Sequence, residues 1–115
     1  MKIKILGTGA AEGVPAPFCK CRFCEYSRKH LDKELRKRSS VLVDDILLVD
    51  FGPDILWNSL AHKVEYCNIK YIIFSHSHFD HFCISSLLLA SKKYRENKIS
   101  VPIVLVGSEQ LFQKL

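Results

Sequence analysis

The chain lacks any apolar run long enough to cross a membrane. Its longest such stretches are Ile84 to Ala90, broken by serines, and Ile46 to Val49, whereas a spanning helix needs about 20 apolar residues. It lacks a secretory leader, because Met1-Lys2 runs straight into an alternating pattern. Repeats, low-complexity tracts and linkers are missing too, which leaves a single unit of 115 residues, enough for one small domain. A dinucleotide fingerprint is also absent. Gly7-x-Gly9-x-x-x-Gly13 has the wrong spacing, and neither an acidic partner nor a βαβ unit supports it. Finally, neither histidine nor aspartate occurs after His81. This stretch of sequence therefore offers no imidazole or aspartate ligand beyond that point, and a site that needs more of them has to draw on another polypeptide.

What is present describes a globular protein. Hydrophobic residues make up 48% and charged residues 25%, a balance that argues against disorder. Five cysteines without a secretion signal point to a reducing, cytoplasmic setting, where metal binding outranks disulfides. Charge is unevenly spread. Lys20 to Arg38 holds eight Lys or Arg against three Asp or Glu, which accounts for the whole formal charge of +5. Such a segment attracts phosphate or nucleic acid, or it is simply a solvated helix face.

The periodicity predicts an α/β order. Lys2 to Leu6 alternates as a half-buried strand, and the glycines of Gly7 to Gly13 let the backbone turn and approach a neighbour or a ligand phosphate. Glu25 to Arg38 reads as a helix or an exposed helical excursion. Ser39 to Val43 and Ile46 to Val49 form a hairpin through Asp44-Asp45. Pro53 opens a helix that carries Trp57 and Leu60 into the core, with His62 as a surface or capping residue. Ile69 to Phe74 is a buried strand. Phe82 to Tyr94 is a helix with Ile84, Leu87, Leu88 and Cys83 toward the sheet and Lys92, Lys93 and Arg95 outward. Val101 to Gly107 is a further strand, and Ser108 caps a last helix.

Two clusters carry chemistry. Ser75-His76-Ser77-His78-Phe79-Asp80-His81 puts three histidines and an aspartate within six positions, where a strand ends and a helix begins. In an extended run His76, His78 and Asp80 point to one side, and a tight loop returns His81 toward them. Imidazole and carboxylate are the usual ligands of zinc and similar divalent metals. Cys19-x-Cys21-x-x-Cys24 matches the ligand spacing of a structural zinc site. Lys20 and Arg22 favour its thiolates, and His30 or the remoter Cys67 could serve as fourth ligand. Asp50-Phe51-Gly52 follows a strand and reads equally as an ordinary turn.

His76-x-His78-x-Asp80-His81 resembles the metal signature of the metallo-β-lactamase superfamily, metal-dependent hydrolases with an αββα sandwich fold. The resemblance implies an N-terminal half of that sandwich, a mixed sheet with helices packed on one face, spanning residues 1–115 as a partial domain. It implies that His76 and His78 hold a first metal, and that Asp80 and His81 hold a second. Asp80 would be the catalytic residue that orients the attacking water. The metals would be zinc, with manganese as the alternative, and they would make hydroxide available at neutral pH. An Asp-x-Gly at the place of Asp50 would shape the floor of this site. Gly7-Thr8-Gly9, Gly13-Val14-Pro15 and the cysteine spacing narrow the likeness to the PhnP-type phosphoribosyl cyclic phosphodiesterases. That branch carries one structural zinc on such cysteines, closed by a histidine from near the C-terminal end. The implied substrate is a small cyclic phosphate or phosphoribosyl ester. A tRNA-processing nuclease or a non-catalytic zinc-binding fragment is the alternative, and a second copy or a complementing chain is the expected partner.

Overall fold

The structure is a computed structural model and describes residues 1–91, 93–94 and 102–115. Five strands form one mixed sheet in the order β1-β2-β3-β4-β5: β1 Ile3–Gly7, β2 Ser40–Val43, β3 Leu47–Val49, β4 Tyr71–Ile73 and β5 Val104–Val106. The first three strands pair antiparallel, and β4 and β5 add in parallel. Helices α1 Arg22–His30, α2 Ile55–His62, α3 Ile84–Leu87 and α4 Glu109–Phe112 fill the connections. This is the mixed α/β half-sandwich that the resemblance implied.

Period-two alternation divides the sheet into unequal faces. Leu42, Leu48, Ile72 and Leu105 lie in register across four strands on the inner face. Leu42, Leu48 and Ile72 are buried, and with Phe51, Val64, Phe74, Phe82 and Leu111 they form the core. Each such side chain contributes about 1.5–3 kcal/mol on burial. The opposite face carries two further rows, Ile3-Val43-Leu47-Tyr71-Val104 and Ile5-Val41-Val49-Ile73-Val106. Every one of these side chains is apolar or aromatic, yet Ile5 is 60% exposed and Val104 48%.

The β2–β3 hairpin turns where expected. Asp44 and Asp45 both take left-handed backbone angles, φ 49° and 58°, as a two-residue primed turn requires. Ser108 also caps α4 as expected, its hydroxyl accepting from the Leu111 amide.

Three expectations are corrected. The helix over Glu25 to Arg38 is instead α1, which starts within the cysteine cluster and ends at His30, with Leu31 left-handed at φ 49°. The residues after it run back along the glycine loop, where Val14 bridges Arg36 and Gly9 bridges Arg38. A Cβ on Gly7 would lie 2.0 Å from the Arg38 carbonyl oxygen, so this glycine serves close backbone approach. Trp57 and Leu60 do not enter the core: they are 54% and 70% exposed, while Asn58 is the buried side chain of α2. The helix from Phe82 is shorter, with α3 passing into a 3-10 turn at Leu88–Ala90. Leu87 packs against the core as expected, whereas Leu88 is 58% exposed and Ile84 is only partly covered. The expectations for Lys92, Arg95 and Val101 fall outside the described residues.

Candidate metal centre

The strand ends bring the histidine-rich loop and the Asp50 turn together. β3 and β4 run parallel side by side, so both chains leave the sheet at the same edge. The loop after β4 is then stitched to the turn after β3. Phe51 N–H donates to the His81 carbonyl at 2.7 Å, and Cys83 N–H donates to the Phe51 carbonyl at 2.9 Å. Inside the loop the His81 and Phe82 amides both donate to the His78 carbonyl, at 3.0 and 2.7 Å. Gly52 closes the stack: a Cβ there would lie 2.2 Å from the Asp80 carbonyl oxygen.

Asp50 is the hub of this arrangement. It is buried, and its backbone is left-handed at φ 62°. One carboxylate oxygen accepts from the Ser75 amide at 2.7 Å, and both accept from the Ser75 hydroxyl, at 2.9 and 2.8 Å. Its Oδ2 also meets His81 Nδ1 at 2.7 Å. A carboxylate is an acceptor, so His81 donates through Nδ1–H. On its other side His81 Nε2 lies 3.1 Å from Asp80 Oδ2.

The other two histidines complete a cluster. The His76 ring lies 4.7 Å from that of His78 and 4.0 Å from that of His81, centroid to centroid. His76 Nδ1 is within 2.9 Å of the Ser75 hydroxyl. The loop thus sets His76 beside His78 and His81, and His81 beside Asp80, as a chain of pairwise neighbours; their ligand atoms do not converge on one point as the cysteine sulfurs do. The donor set fits a divalent metal by a local test. With Nδ1 facing Asp50, His81 presents Nε2 toward the Asp80 carboxylate at 3.1 Å, where either a shared proton or a divalent metal can sit between the two groups.

The cysteines form a second centre near the surface. Sγ of Cys19, Cys21 and Cys24 all lie within 4.8 Å of one another, and this is the one such triad of ligand atoms among the described residues. Three sulfurs bound to one zinc at about 2.3 Å sit at nearly this spacing. The Cys24 thiol accepts from the Ala16 amide and the Cys19 thiol from the Cys21 amide, at 3.3 and 3.4 Å. The Cys21 thiol is pulled down to about 7, first by the Cys24 backbone amide and then by the neighbouring thiols. Cys24 moves the other way. The Ala16 amide lowers it, but burial and its two neighbours outweigh that and raise it. Of the two proposed fourth ligands, His30 stacks on Tyr26 at 3.9 Å with Nδ1 on the Tyr26 carbonyl, and Cys67 is exposed in the Tyr66–Asn68 turn. Neither joins the triad.

Reading the sequence did not single out Ser75 or the Arg38–Asp54 pair. Ser75 is a hydroxyl one residue ahead of the first histidine, a position from which it can tie the loop to its floor. Arg38 Nη1 meets Asp54 Oδ1 at 3.0 Å, and the Arg38 amide donates to Asp54 Oδ2. No local pattern marks that contact, because its partners come from segments that meet only in the fold.

Comparison with known proteins agrees with the geometry. The family model described as "Metallo-beta-lactamase superfamily" matches residues 35–96, and the chain belongs to that superfamily. It superposes on zinc-bound PqqB from Methylobacterium extorquens with a TM-score of 0.76 at 22% identity, covering 97% of this chain and 38% of that one. A diphosphatase from the PhnP family gives 0.69 at 28% identity, covering 96% and 42%. The short form of human tRNase Z gives 0.63 at 24% identity, covering 99% and 38%. A protein named octanoyltransferase, from Porphyromonas gingivalis (strain ATCC BAA-308 / W83), is 31% identical over 83 residues. The match takes in 70% of this chain and 16% of that protein. The chain thus spans about two fifths of the solved structures and about a sixth of the octanoyltransferase. Among the described residues no helix is long and apolar enough to cross a membrane.

Proposed function

We propose that the chain supplies the first ligand half of a metal-dependent hydrolase that cleaves phosphodiester bonds in small cyclic phosphate or phosphoribosyl esters. One observation carries this reading: His81 is held between the Asp50 and Asp80 carboxylates at 2.7 and 3.1 Å, with the other two imidazoles beside it. His76 and His78 would hold one cation, and Asp80 and His81 a second. Bound there, zinc or manganese would activate water and offset charge on the phosphate oxygens. The chain's own residues do the positioning. Asp50 fixes the tautomer and tilt of His81, and Ser75 fixes Asp50. Asp80, whose carbonyl packs closely against Gly52, would orient a water. The 28% identity to the PhnP-family diphosphatase supports the choice of phosphate ester.

The remaining ligands of a two-metal site would come from further polypeptide, either a complementing chain or a second copy. The apolar outer face of the sheet offers it a seat. The test is hydrolysis of bis-p-nitrophenyl phosphate and of a cyclic phosphoribosyl ester by the chain with zinc or manganese, alone and with a complementing half. Turnover that disappears in His81→Ala supports the reading; metal held at the histidines without turnover in either arrangement defeats it. A second reading, a zinc-binding unit without chemistry, is favoured by the cysteine triad, which closes within one short loop. One tightly held zinc, retained after His81→Ala, is its signature.

A further inference from the structure

The basic segment contains a groove lined by residues that lie outside the hydrophobic core. Arg22, Phe23 and Tyr26 of α1, with Lys33 and Glu34 beyond it, line an open depression of about 540 Å³. Phe23 is 69% exposed and Tyr26 44%, and neither belongs to the core. Several cations of the segment are already used. Arg28 is tied to Glu25 and to the carbonyls of Ala16 and Cys19, and Arg38 is tied to Asp54. Lys20, Arg22, Lys29 and Lys33 are different: among the described residues none of their side chains forms an ion pair. Arg22, Tyr26 and Lys29 share one face of α1 by their i, i+4, i+7 spacing. The site therefore alternates free cations with exposed rings.

We propose that this groove binds a single-stranded polynucleotide, with a base stacked on Phe23, a second meeting the part of the Tyr26 ring that His30 leaves uncovered, and the backbone met by Arg22, Lys33, Lys20 and Lys29. Stacking on aromatic side chains requires bases that are not already paired and stacked, so a duplex offers these rings nothing. The groove is open rather than enclosed, which suits a strand passing through more than a free phosphate. Glu34 on its wall would repel an isolated polyanion but can accept from a base amino group. Arg22 and Phe23 are the two residues between Cys21 and Cys24, so closure of the triad fixes the platform relative to the loop. The proposal goes beyond the hydrolase reading and does not depend on it, because binding is measured without turnover.

The test is fluorescence anisotropy of a labelled, unstructured RNA of about 12 nucleotides with the intact zinc-loaded chain. The expected dissociation constant is about 10 µM or tighter near physiological salt. Phe23→Ala combined with Tyr26→Ala should weaken binding about tenfold. Arg22→Ala should reduce the slope of log affinity against log salt by about one. These side chains are exposed, so the variants keep the fold, and circular dichroism checks that they do. Equal affinity for a duplex of the same length, or an unchanged affinity in the double aromatic variant, overturns the proposal. So does binding to phosphatidylserine vesicles with none to RNA. Loss of RNA binding with metal-dependent hydrolysis intact would sink this proposal alone, and the converse would sink only the hydrolase reading.

Discussion

The two clusters of metal-type ligands are built in opposite ways. The cysteines gather within one loop of six residues and the first turn of α1, near the surface. The histidines are also close in sequence, but their order depends on Asp50, which arrives from the end of another strand and sits 31 residues from His81. One cluster is local and runs from exposed Cys21 to buried Cys24; the other rests on a buried, long-range support. The difference implies that the cysteine centre can form wherever its loop is intact, whereas the histidine centre exists only in the folded sheet. Mutations at the support should therefore separate the two.

Asp50→Ala should give the largest effect. It leaves the Ser75 amide and His81 Nδ1 without their acceptor in a buried place. The expected cost is about 3–4 kcal/mol in urea unfolding. Divalent-metal affinity at the histidines should fall about 10–100-fold, while zinc at the cysteines stays. Isothermal titration of the wild type and variant checks both. If zinc is lost from both centres together, the contrast between local and supported sites fails. Asp50→Asn, which keeps one acceptor oxygen, should fall between the two.

Gly52→Ala comes next. Its new methyl would press on the Asp80 carbonyl at 2.2 Å, and both are backbone-anchored, so the histidine loop must shift. A cost of about 1–3 kcal/mol is expected from overpacking, with a weaker second metal at Asp80 and His81 and no change at the cysteines. A variant with wild-type melting and metal affinity would show that the loop is softer than its hydrogen bonds suggest.

How far these clusters could be read from the sequence follows the same division. The cysteine triad is legible because spacing alone nearly determines it. The hairpin is legible too, because Asp44 and Asp45 tolerate left-handed angles, while the histidine motif is legible as a spacing whose ligand role is still a proposal. Asp50 was ambiguous: a turn at a strand end and the floor of a site look alike until the partner loop is known. Arg36 and Arg38 were misplaced in a helix because what straightens them, the glycine loop, lies over twenty residues earlier in the chain. Trp57 and Leu60 were misplaced because hydrophobicity alone does not say which side of α2 meets the sheet. Ile55 packs against the core and Asn58 is buried, so the helix turns its larger apolar residues outward.

Alkaline pH probes the buried side. Burial drives the Tyr66 phenol up to about 12, only partly offset by the Asn58 side chain. Its ring packs edge-on against Phe51 at 6.0 Å. A phenol that keeps its proton in the fold but loses it near 10 when unfolded makes stability fall as pH rises from about 10 to 12, with no effect below that window. Tyr66→Phe should remove this part of the loss while costing about 1 kcal/mol or less at pH 7. Urea midpoints of both proteins at pH 9 and pH 11 measure it. Equal slopes would mean that Tyr66 is more open to water than its packing indicates.

Neutral pH probes the exposed side, and here the effect is on reactivity rather than stability. In the reduced, metal-free chain the Cys21 thiol ionises near 7, held down first by the Cys24 amide and then by the Cys19 thiol. A free cysteine ionises near 8.5. Because the thiolate is the nucleophile, iodoacetamide labelling of Cys21 should rise with pH around a midpoint near 7. Mass spectrometry of the tryptic peptide follows it. Cys19→Ala removes a thiol donor and should move that midpoint upward; Asp50→Ala, on the far support, should leave it where it is. Zinc should protect Cys21 in the wild type and in Asp50→Ala alike, since the triad draws nothing from β3. A midpoint in the free-thiol range would mean that the three sulfurs do not meet in solution, and the local centre would lose its claim to form by itself.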